Sequence, residues 1–168
     1  QEMNNITALS NETCQLGIQS RNMVLYIAKK DSPQPIRLMS SVGKQLPLYC
    51  TGLGRALLAY KSEEEIRSLF PEVLTAYTPH TIATINDLLK ELELTRQRGY
   101  AVEHEETNLM VNCIAVSLDY NNAPIAALSI SIPTFRISES KEKEAVQILW
   151  EAKQHIETHF KMYGVDFG

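Results

Sequence analysis

No run in the sequence approaches the roughly 18 apolar residues of a membrane-spanning helix, and no charged-then-apolar leader opens it. A cytoplasmic protein with no membrane partner is therefore the expectation. Basic residues are also short: 16 Lys and Arg face 20 Asp and Glu, a formal net charge of -4. Such a balance offers duplex DNA or an anionic bilayer no general attraction. The chain alone is expected not to bind DNA specifically. Cysteine is scarce, with Cys14, Cys50 and Cys113 odd in number and unrelated in spacing. That excludes a disulfide framework and a CxxC metal pair, and it suits a reducing compartment. Glycine is sparse as well. "TGLG" at residues 51–54 lacks the third glycine of GxGxxG and the lysine of a P-loop, so no nucleotide motif is present.

What remains is 168 residues, 44% of them hydrophobic, enough for one globular domain with a sizeable core. Met3, Ile6 and Leu9 recur three apart and predict a short amphipathic helix within residues 1–13. "CQLGIQ" and "MVLYIAK" read as strands around the turn Ser20-Arg21-Asn22. A loop follows at "KKDSPQP", and "IRLMSSV" reads as a third strand ended by Gly43. Thr51 can cap a helix over "GLGRALLAY", Ser62 and Glu65 form an S-x-x-E capping box, and Thr84 with Asp87 starts "INDLLKELELTRQR", which Gly99 ends. "YAVEHEE" and the hairpin 112–132, turning at Asn121-Asn122, supply further strands. A last helix starts near Ser138, with Ala145, Leu149, Ala152 and Ile156 as its buried stripe. The order implies an α+β domain, a mainly antiparallel sheet flanked by helices.

The hairpin raises a functional question. Ile114, Val116, Leu118, Leu128, Ile130 and Ile132 share one face, whereas Cys113, Ala115, Ser117, Ala127, Ser129 and Ser131 share the other. Residues that small either let a helix pack closely or leave room for a ligand oriented by hydroxyls and a thiol. Glu103 falls on the same face as Ala101, and a carboxylate on a central strand is costly to bury without partners; on an exposed edge it costs nothing. The backbone at "TGLG" either receives an anion or makes a tight turn for close packing. Cys113 is a nucleophile only if a base or a positive charge adjoins it; His104, the nearest in sequence, falls on the opposite face. His155 and His159 are four apart with no third metal ligand in view.

"VGKQLPLYCTGLGRALLAY", "YTPHTIATINDLLKELELTRQRGYAVEHEE" and "CIAVSLDYNNAPIAALSISIPTFRIS", in this order and spacing, resemble the effector-binding domain of the IclR family of bacterial transcriptional regulators. The resemblance runs from about residue 12 to 163. It implies a GAF-like fold that binds a small-molecule metabolite, needs no cofactor or metal, and assembles as a homodimer or homotetramer. It also implies an N-terminal winged helix-turn-helix that binds operator DNA and is absent from this chain, which begins with Gln rather than Met. Residues 1–13 are then the end of a linker helix, and 14–168 the effector-binding domain. Carried over position by position, the resemblance assigns backbone contacts to Gly52 and Leu53 and polar contacts to Glu103, Cys113, Ser129 and Ser131. Leu38 and Leu46 become apolar wall. The ligand expected is a hydroxylated carboxylate such as a sugar acid or a 2-oxo acid. An enzyme with Cys113 as nucleophile or redox thiol is the alternative. The chain departs from the family at Met110 and Ser117, where Gly and Pro are usual.

Overall fold

The computed structural model describes residues 1–36 and 40–165. Helix α1 (Glu2–Ser10) precedes strands β1 (Thr13–Ser20), β2 (Met23–Lys30) and β3 (Gln45–Pro47). Helices α2 (Gly52–Leu58), α3 (Glu63–Leu69) and α4 (Ile85–Arg98) follow. The chain closes with β4 (Ala101–His104), β5 (Val111–Tyr120), β6 (Ala123–Pro133) and α5 (Glu139–Tyr163). The six strands form one sheet in the order β3-β2-β1-β6-β5-β4, with every neighbouring pair antiparallel. The expected α+β class is therefore the observed one.

Local chemistry sets most boundaries. The Thr51 hydroxyl accepts from the Gly54 N–H (3.1 Å) and starts α2. Ser62 and Glu65 close a reciprocal capping box on α3, and Thr84 accepts from the Asp87 N–H to open α4. Gly99 ends α4 in the left-handed region at φ 79°, where a side chain would be strained. Asn121 and Asn122 both take positive φ and turn the β5–β6 hairpin.

One expected element is displaced. In "IRLMSSV", Ile36 and Ser40 to Val42 are not strand, and the other three residues, Leu38 among them, lie outside the described residues. The third strand comes later, at Gln45–Pro47. Gly43, at φ 86°, reverses the chain and donates its N–H to the Tyr26 carbonyl, which lays Leu46 opposite Val24. Pro47 is compatible with that register because β3 is an edge strand. The amphipathic reading of residues 1–13 also needs trimming: the helix stops at Ser10, and Leu9 of its stripe is exposed while Ile6 is buried.

Each face of the sheet carries its own core. Ile114, Val116, Leu118, Leu128, Ile130 and Ile132 are buried with Ala145, Leu149 and Ala152 of α5 and Ile6 of α1. On the other face Leu53 and Leu57 of α2 and Leu88 and Leu92 of α4 join Ala101, Ala115 and Ala127. Burying a side chain such as Leu92 fully is worth about 1.5–3 kcal/mol.

Candidate functional site

Strand register lines up the polar residues of the small face. Glu103 stands opposite Cys113, and Cys113 opposite Ser131, so three strands contribute one transverse row. The next row runs Gln15, Ser129, Ala115, Ala101. The small face of the hairpin is used in two ways. Around Ala115 and Ala127 the small side chains admit α2, whose Gly52 lies so close that an added Cβ would sit 3.3 Å from that of Cys113 and 3.5 Å from that of Ala115. Around Cys113, Ser129 and Ser131 they form a polar network instead.

That network is continuous. The Ser131 hydroxyl donates to Gln15 Oε1 (2.7 Å), as does Ser129 at 3.3 Å. Cys113 Sγ lies 3.1 Å from Ser131 Oγ. Glu103, 1% exposed, accepts the N–H groups of Glu106 (2.8 Å) and Thr107 (3.1 Å). Its carboxyl pKa is nevertheless raised: burial penalises the charge more than those hydrogen bonds reward it. Burial and the adjoining Glu103 push the Cys113 thiol well above its ordinary range. Cys14 and Cys50 are each pushed up to about 12 by burial. A nucleophilic cysteine needs the opposite shift. His104 cannot supply a base, because it lies exposed on the other face with Nδ1 3.0 Å from Asn112 Oδ1.

The network surrounds a small cavity of about 30 Å³, walled also by Tyr26, Lys44, Leu46 and Asn108. This is room for about one water. Ser40 stands at its rim, accepting from Gln15 Nε2 (2.7 Å) through its hydroxyl and from Lys29 Nζ (2.7 Å) through its carbonyl. Of the residues singled out from the sequence, Glu103, Cys113, Ser131 and Leu46 line the cavity, and Ser129 joins through Gln15. Gly52 adjoins Cys113 from α2, whereas Leu53 packs in the core over Gly17, and neither lines the cavity. Met110 is exposed, away from the cavity, and holds φ 68° without the glycine that suits it. Gln15, Tyr26 and Lys44 escaped the sequence reading. Strand alternation places Gln15 on the same face as Gly17, so a polar residue inside a central strand was the available signal.

A second buried group stabilises this geometry. Arg55 of α2, 2% exposed, donates to the Tyr49 carbonyl (2.9 Å) and the Val102 carbonyl (2.9 Å), and pairs with Glu106 at 2.5 Å. Glu106 supplies one of the N–H groups that hold Glu103, so the ion pair fixes the turn behind the cavity. Among the described residues no cluster of His, Cys, Asp and Glu could hold a metal ion, and no helix is long and apolar enough to cross a membrane.

Residues 1–158 match the family described as bacterial transcriptional regulator IclR C-terminal. The chain is an IclR C-terminal domain. It is 38% identical over 157 residues to the HTH-type transcriptional regulator KdgR of Dickeya chrysanthemi, covering 92% of this chain and 52% of that protein. It is 33% identical over 158 residues to the transcriptional repressor AllR of Escherichia coli K12, covering 93% and 58%. The crystal structure of the C-terminal domain of E. coli KdgR superimposes with a TM-score of 0.85 at 33% identity, covering 98% of this chain and 94% of that one. The IclR domain thus spans between about half and two thirds of its curated relatives' length.

Proposed function

We propose that this IclR domain is a non-enzymatic sensor that binds a small hydroxylated monocarboxylate, a sugar acid or 2-oxo acid, at Glu103, Cys113, Ser129 and Ser131. In the full-length cytoplasmic regulator it controls operator binding by an N-terminal winged helix-turn-helix, reached through α1, within a homodimer or homotetramer. One observation carries the reading: a polar set of Glu103, Cys113, Ser131 and Gln15 from four strands faces a cavity instead of apolar core. Such groups are costly to desolvate, and a polyhydroxylated ligand can exchange into the hydrogen bonds they make with one another. Glu103 and Gln15 receive the hydroxyls. The carboxylate meets Lys44, among the described residues the one cationic side chain of the lining. Binding requires the walls to part, because the cavity as it stands holds only about one water.

The experiment is a calorimetric comparison of gluconate, pyruvate and larger 2-oxo sugar acids with their reduced, uncharged alcohols. Acids are expected to bind and alcohols not, with Glu103→Gln and Ser131→Ala each weakening the acid about ten- to a hundredfold. Binding by the alcohols alone, or by acids indifferent to both substitutions, refutes the site.

A further inference from the structure

A larger cavity lies at the other end of α2, about 350 Å³ in volume, between α2, α4 and the start of β4. Its floor is buried and nearly bare of bulk: Ala56, Ala59, Ala101 and Ala115, with Thr95 and Ser117. Its rim is Tyr60, Arg96 and the Gly99-Tyr100 turn. The volume falls within the range of small-molecule pockets, about 300–1,000 Å³, and is roughly twice the ~150 Å³ apolar cavity known to hold one benzene.

Charge selects the class of ligand. Arg96 is already engaged by Glu93 (2.9 Å) and by the Ala59 carbonyl (3.0 Å). Lys153, behind Ser117, is engaged by Asp119 (2.8 Å) and Glu157. Both cations are engaged, so they offer an anionic ligand no free counter-charge, and among the described residues the lining holds no carboxylate for a cationic one. Two hydroxyls of the lining stand together, Tyr60 Oη and Ser117 Oγ, 3.0 Å apart, and Tyr60 gives its proton to Asp119 Oδ2 (2.6 Å). With both protons so used, the pair is left to accept, and a ligand hydroxyl can donate to it.

We infer that this cavity is a second ligand site, separate from the Glu103 cavity, for a neutral ring-sized molecule that carries a hydroxyl. The chain contains its own reporter. Its single tryptophan, Trp150, packs edge-on against Tyr100 with ring centroids 6.0 Å apart, and its indole N–H reaches the Gly99 carbonyl at 3.4 Å.

The test is a titration of the intact chain with cyclohexanol, followed by Trp150 emission and by amide chemical shifts. The matched carboxylate, cyclohexanecarboxylate, and the matched cation, cyclohexylammonium, are run alongside. A saturable emission change is expected, with a dissociation constant on the order of 1 mM for so small a probe. Shifts should concentrate on residues 56–60, 95–101 and 115–117. The two charged analogues should bind at least about tenfold more weakly. Ala59→Leu fills the space and should weaken cyclohexanol by a similar factor. Tyr60→Phe, an exposed position that keeps the fold, should weaken it severalfold. Non-saturating change, equal binding of all three analogues, shifts centred on Gln15 and Glu103, or unaltered affinity in Tyr60→Phe would each overturn the assignment.

Discussion

Removing the Arg55 guanidinium should be among the most damaging single changes in this domain. Three of its nitrogens are engaged: Nε by Tyr49, Nη1 by Val102 and Nη2 by Glu106. In Arg55→Met the side-chain volume is nearly kept, yet Glu106 retains only the Ile82 N–H (3.1 Å) as donor to its carboxylate. Breaking a buried pair from one side costs about 3–5 kcal/mol, a large share of the 5–15 kcal/mol that domains commonly have. Urea titration followed by circular dichroism should show the midpoint falling by about 2 M, taking a slope of about 2 kcal/mol/M. Adding Glu106→Gln should restore at least about 1 kcal/mol, because the orphaned charge is then gone. The Glu106 N–H holds Glu103, so the variant should also bind acids more weakly than the fold change alone explains. A loss below about 1 kcal/mol, or a double variant costing the sum of the singles, would refute the account.

Glu103→Gln keeps an acceptor for the N–H groups of Glu106 and Thr107 while removing a carboxyl whose folded-state pKa is raised. The native chain holds that proton where the unfolded chain has released it, so wild-type stability falls as pH rises from the ordinary carboxylate range through the folded pKa. The Gln variant should lose that slope and match or exceed wild type at neutral pH, as thermal melts across pH will show; a parallel pH profile would contradict this. In Gly54→Ala, the new Cβ would sit 2.2 Å from the Leu48 carbonyl oxygen, a contact that cannot be relieved without moving backbone, so soluble expression should collapse. Met110→Gly should raise stability by about 1 kcal/mol by relieving the left-handed backbone, measured by urea midpoint.

The parts legible in the sequence were those whose partners lie within a few residues. Thr51, Ser62 with Glu65, Thr84, Gly99 and the two asparagines announce caps and turns because each bonds its own neighbourhood. Alternation likewise put Glu103, Cys113 and Ser131 on one face. Gln15 and Arg55 stayed hidden because their partners are remote, 116 residues away at Ser131 and 51 away at Glu106. Nothing local distinguishes a buried arginine from an exposed one on a short helix. The β3 register was missed for a related reason: Gly43 donating to Tyr26, not the apolar run before it, decides where pairing begins.

The contact between Gly54 and Leu48 sets α2, which adjoins the Glu103 cavity without lining it, apart from the cavity's own rim. On one side α2 is locked by backbone against backbone; on the other, Ser40 is held by two side-chain hydrogen bonds that can exchange with water. Any effort to redesign what the cavity accepts is thereby given a map. Libraries built across residues 40–46 and 107–111 can reshape the entrance and keep the scaffold, whereas libraries in residues 51–55 would chiefly harvest unfolded chains.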